Sequence, residues 1–80
     1  MENNGMITEK FMPKVGEVYR YSYDHFNRVY TVEARVDAVT TGGSLVIIMV
    51  NFSHGEYISY EKEGYWHAYG SKLLSLEKIG

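Results

Sequence analysis

Three histidines, His25, His54 and His67, and a scatter of carboxylates are the residues that first ask for chemistry. The histidines fall in three separate segments with no His-x-x-x-His pair, so a metal would need His54, Glu56 and His67 brought together across adjacent strands. The chain has no cysteine, which removes thiolate ligands and disulfides alike. Histidines in solvated loops are the ordinary occurrence, and neither a metal nor a cofactor is expected. Ser53-His54, and Ser59 with Glu61, supply the types for a nucleophile and its base, but neither lies in a nucleophile elbow. Glu61 and Glu63 flank a hydrophilic turn, where solvation explains them. Gly42-Gly43 lacks the Lys-Ser/Thr and the helix that make a phosphate loop. With 80 residues there is little room for a substrate pocket of roughly several hundred Å³. No catalytic residue is assigned, and the chain reads as non-enzymatic.

Aromatic content is the unusual feature: eight Tyr, three Phe and one Trp. A domain of this size buries only about 60% of its unfolded surface, so some of these rings must lie outside. They are densest in Tyr57, Tyr60, Tyr65, Trp66, His67 and Tyr69, with His54 just before them. Tyr and Trp suit binding surfaces because they offer rigid area with a polar tip. Those six residues are therefore the candidate partner-binding site, for a protein partner. The competing reading is that Trp66 and one or two of the tyrosines complete the core. A second function, stacking of nucleic-acid bases with Arg20, Arg28, Arg35, Lys62 and Lys72 on phosphate, is disfavoured by charge. The net charge is −2 and the pI about 5.8. A third reading is a homo-oligomer, formed through Leu45–Val50 or a barrel edge.

The elements that would hold these residues are strands. Residues 1–12 are polar and predict a flexible arm or a short strand, closed by Pro13, with residues 13–80 as a single β-barrel domain. Glu17 to Tyr23 alternates, with Tyr19, Tyr21 and Tyr23 on one face; their hydroxyls place that face at the rim of a core. Asp24 to Asn27 is a turn. From Arg28 to Phe52 two long runs meet at a Gly-Gly turn. In the first, Tyr30, Val32, Ala34, Val36 and Ala38 share a face. The second, Leu45 to Val50, has no polar face and should be covered on both sides, or on one side and by a partner on the other. Tyr57–Glu61 and Tyr65–Tyr69 follow as strands, and the tail predicts a 3₁₀ turn near residues 71–74 before a short closing strand. The fold is all-β: a small antiparallel barrel or a rolled five-stranded sheet.

Lys14-Val15-Gly16-Glu17-Val18-Tyr19-Arg20 contains a Val-Gly-x-x-Tyr entrance that resembles the first strand of small SH3-like barrels, among them compact proteins of phage and prophage origin. A polar turn and a long alternating strand, here Arg28 to Thr40, follow in the same layout. The resemblance implies an SH3-like architecture over residues 14–79 and a phage-type inhibitor or adaptor acting on a larger protein. It carries no peptide-binding site, since no acidic loop or proline-binding aromatic set matches. No basic-then-apolar leader occurs and Leu45–Val50 is too short to span a bilayer, so a cytoplasmic location without membrane contact is expected.

Overall fold

The computed structural model describes residues 12–61 and 64–80. The expected N-terminal arm, up to residue 11, and the turn at 62–63 lie outside those residues. The described chain is all-β: β1 (Val18–His25), β2 (Arg28–Arg35), β3 (Ala38–Gly42), β4 (Leu45–Met49), a 3₁₀ turn (Phe52–His54), β5 (Tyr57–Glu61), β6 (Gly64–His67) and β7 (Leu73–Lys78). They form two antiparallel sheets, ordered β2-β1-β7 and β3-β4-β5-β6. At one side the chain passes from β2 into β3. At the other a bridge between Trp66 and Lys72 links β6 to the start of β7. No helix among the described residues is long and apolar enough to cross a membrane.

The tyrosine face of β1 is the centre of the core, not its rim: Tyr19, Tyr21 and Tyr23 are 4%, 0% and 9% exposed. The rings fill the space between the sheets while two hydroxyls reach carboxylates. Tyr19 Oη donates to Glu17 Oε1 and Tyr21 Oη to Glu56 Oε1, each at 3.2 Å. That pairing removes the penalty that argued against burying them. Burial, aided by the Glu17 charge, pushes the Tyr19 hydroxyl up to about 12, and burial pushes that of Tyr21 up as well. Ala34, Val36, Ile48, Val50, Ile58 and Tyr65 complete the core.

Among the described residues there are seven strands: the long run from Arg28 breaks in two at Val36–Asp37, and the closing strand expected in the tail runs from Leu73 to Lys78. Val36 still belongs to the β1 side, exchanging hydrogen bonds with Gly16 and Glu17. Asp37 belongs to the other sheet: its N–H donates to the Met49 carbonyl at 2.7 Å, and its Oδ2 accepts from the Phe52 N–H at 3.0 Å. The corner shifts the alternation by one. Val39, opposite buried Ile48, takes the inward place expected for Ala38, which lies opposite Met49 on the outer side.

The 3₁₀ turn falls at Phe52–His54, between Asn51 and Gly55, both left-handed at φ 83° and 75°. Residues 71–74 lead directly into β7. Leu73 and Leu76 reach the same side of β7 through a β-bulge. Register against β1 shifts between Ser22 and Tyr23, so Tyr21 meets Leu76 and Tyr23 meets Leu73, and both leucines pack on the core.

Candidate functional site

Alternation along β5 and β6 divides the aromatic segment between two faces. Ile58 pairs with His67 and Tyr60 with Tyr65 on the inner face; Ser59 pairs with Trp66 on the outer. Tyr65 and His67 are 3% and 2% exposed, so both belong to the core rather than to a contact surface. Tyr60 packs against that core, its ring 4.8 Å from that of Tyr65. Burial pushes the Tyr65 hydroxyl upward. Tyr57, Trp66 and Tyr69 remain on the outside. The inward half of the set is explained by β5 and β6 being interior-lined strands whose partners, Val46 and Ile48, are core residues.

On the outer face Tyr57 has an apolar neighbour, while Trp66 is flanked by Ser59 on β5 and by Lys72. Ile47 stands opposite Ser59 and Met49 opposite Tyr57, so Ile47, Ser59 and Trp66 form one row across three strands. Leu45, Ile47, Met49 and Trp66 are each half-buried, and Tyr57 is exposed. A shallow groove of about 280 Å³ runs between Tyr57, Ser59, Glu61, Trp66 and Ala68. Glu61 at its end is the charged side chain lining it. The arrangement can seat an apolar or aromatic side chain beside the Trp66 indole; it holds no nucleophile with an oriented base.

The second aromatic surface lies at the β1–β2 turn. Phe26 and Asn27 occupy it at φ 52° and 63°, the positive values that a two-residue hairpin turn needs. Phe26 is 86% exposed and its ring centre lies 4.4 Å from that of His25, which in turn is 5.4 Å from exposed Tyr69. Tyr30 continues the patch, 5.5 Å from Tyr23 and nearly parallel to it. Only Tyr69 of this group was among the sequence candidates. Phe26 was readable as a turn residue, but the contact of its neighbour His25 with Tyr69, more than forty positions away, was not.

Beneath both surfaces sits His67. Its ring lies flat on Tyr23 at 4.0 Å and 7°, with Tyr21 and Tyr69 at 5.7 and 5.4 Å. Nε2 is 3.7 Å from Glu56 Oε1, too long for a hydrogen bond. Neither ring nitrogen makes a hydrogen bond among the described residues. Burial lowers its pKa, against the opposing pull of the Glu56 charge. His54 is exposed on the 3₁₀ turn and His25 lies at the end of β1. Among the described residues no three His, Asp or Glu side chains are placed to hold a metal.

The basic residues considered for phosphate are partly engaged. Arg20 makes ion pairs with Glu33 at 3.0 Å and Glu77 at 3.2 Å, and Arg35 approaches Asp37 at 3.9 Å. Arg28 and Lys72 are exposed, and Lys62 lies outside the described residues. Compared with protein families, with curated proteins and with solved structures, the chain finds no match in any of the three.

Proposed function

We propose that this chain is a non-enzymatic protein-interaction module that binds a larger protein through the outer face of β4, β5 and β6. Trp66 and Tyr57 are its anchors, Ile47 and Met49 form the apolar floor, and Tyr69 extends the aromatic surface. The observation that carries this reading is the group of apolar and aromatic side chains, Ile47, Met49, Tyr57 and Trp66, on an outer face the core does not need. Such a face, rimmed by polar residues, is the usual form of a contact surface. A phage-type inhibitor or adaptor in the cytoplasm is the narrower form of the reading, and it rests on the Lys14–Arg20 resemblance. Nucleic-acid binding is the less favoured alternative, because Arg20 and Arg35 already have carboxylate partners.

The test is retention of a specific partner on immobilised chain, compared among variants of verified melting temperature. Trp66→Ala and Tyr57→Ala should lose it; Leu74→Ala, exposed on the other sheet, should keep it. Full retention by both outer-face variants overturns the assignment. A fluorescence titration with single-stranded DNA at low salt, where electrostatic binding is strongest, should show no saturation; saturation there favours the alternative.

A further inference from the structure

We propose that β3 pairs antiparallel, about a two-fold axis, with β3 of a second copy of this chain. Among the described residues β3 ends the four-stranded sheet and is paired on one edge only, to β4. A free edge offers a row of unpaired backbone N–H and C=O groups, and folded proteins normally guard it with charge, proline or a bulge. β3 has none of these. Its five residues, Ala38 to Gly42, keep an unbroken register with β4. No Asp, Glu, Lys or Arg occurs between Asp37 and Glu56. The other edges differ: β2 carries Arg28, Glu33 and Arg35, β7 carries Glu77 and Lys78, and β6 is bridged to Lys72.

The hairpin also stands clear of the body, since Thr40, Thr41, Gly42, Gly43 and Ser44 are all exposed. A second copy fits this edge better than an unrelated strand for two reasons. The edge is neutral, so two identical copies meet without like-charge repulsion. A five-residue strand centred on Thr40 is also self-complementary: Ala38 faces Gly42, Val39 faces Thr41, and Thr40 faces Thr40 of the second copy. Thr–Thr is a favourable cross-strand pair, and a closed two-fold contact of this kind consumes the edge. The result is one eight-stranded sheet whose apolar outer faces lie on the same side. The two Trp66 side chains would then be on the order of 30 Å apart, from seven strand spacings. This pairing uses an edge rather than the outer face, so it stands independently of what that face binds.

Light scattering over a dilution series tests it. The wild-type chain should approach twice the 9.2 kDa of one chain at high concentration and return to that value on dilution. Thr40→Lys places two charges against each other at the axis and should give the single-chain mass throughout, with circular dichroism and melting unchanged. Leu74→Lys, on β7, should still dimerise. Because the chain has no cysteine, Thr40→Cys gives a second readout. Facing residues across such a pair have Cα atoms about 4.5–5.5 Å apart, within disulfide reach. Mild oxidation should therefore link it into a dimer that thiol reverses, while Ser53→Cys should not link. A wild-type chain of single mass at every concentration, a Thr40→Lys chain that still dimerises, or equal cross-linking of the two cysteine variants overturns the proposal.

Discussion

The two sheets turn opposite chemistries away from each other. On the three-stranded sheet Arg20 lies between its register partners, Glu33 on β2 and Glu77 on β7, and pairs with both. Beside it the Ser22 and Thr31 hydroxyls meet at 3.0 Å. Its outer groups answer one another. On the four-stranded sheet the corresponding rows are Thr40, Ile47, Ser59 and Trp66, then Ala38, Met49 and Tyr57, with no charged side chain in either. Nothing in the packing between the sheets requires this difference, because the core is filled from the inner faces by Tyr21, Ile58, Val36, Val50 and His67. The three-stranded sheet also exposes Val29, Tyr30 and Leu74, but its central outer row is charged and paired within itself. Ile47, Met49, Tyr57 and Trp66 on the four-stranded sheet have no such pairing across their strands, and their chemistry points outward to a partner.

The comparison breaks most readily at an inner and an outer ring. Tyr21→Ala empties a fully buried site and should cost about 3–5 kcal/mol, most of the stability of a small domain, read as a collapse of the urea midpoint. Trp66→Ala should cost less than about 1.5 kcal/mol, because its side chain is only half-buried, yet weaken partner binding by about 30-fold or more. If both variants lose stability equally, the outer face is core in disguise.

His67 gives the next largest effect. Its pKa in the fold is lowered by burial, so the unfolded chain takes up a proton first as pH falls. Its contribution is complete above the unfolded value of about 6.5 and is lost as pH falls from there toward the folded value. Within that window stability should drop by up to about 1.4 kcal/mol per pH unit. His67→Phe keeps a ring on Tyr23 and should flatten this slope in urea titrations. An unchanged slope would mean that His67 is not its source.

Alternation made the strands legible in the sequence, and it failed where the backbone leaves strict period two. One failure is at Asp37, where the chain changes sheet and the inward place passes from Ala38 to Val39. The other is at β7, where a bulge brings Leu73 and Leu76 to one side. Alternation also separates Tyr57 and Ser59 from Ile58 and Tyr60 without saying which pair is inside. That choice depends on Ile48 and Val46 across the sheet, and so on register. His67 was the hardest to foresee. A histidine among surface-type residues reads as solvated until Tyr23 is found stacked on it, and that contact joins residues distant in the chain. The Phe26, His25 and Tyr69 patch is tertiary in the same way.

Phe26 sharpens the comparison at the turn of the three-stranded sheet. A bulky residue at φ 52° with 86% of its surface in water contributes nothing to the core and strains the turn. Phe26→Asn, a residue that tolerates this conformation, should stabilise the fold by up to about 1 kcal/mol in thermal melts. If the melting temperature falls instead, the Phe26 ring supports the fold through His25.

The smallest effect belongs to Arg20. Its guanidinium is held above its ordinary pKa by the hydrogen bonds to Glu33 and Glu77, but the group sits in solvent, where screening leaves such pairs little net energy. Arg20→Gln should lower the melting temperature slightly at low ionic strength, and the difference should vanish as salt is added. The same variant should leave partner binding unchanged, since it lies on the sheet whose outer groups already satisfy one another. A loss of binding in Arg20→Gln as large as that in Trp66→Ala would mean that both faces touch the partner, and the contrast between the sheets would then describe folding alone.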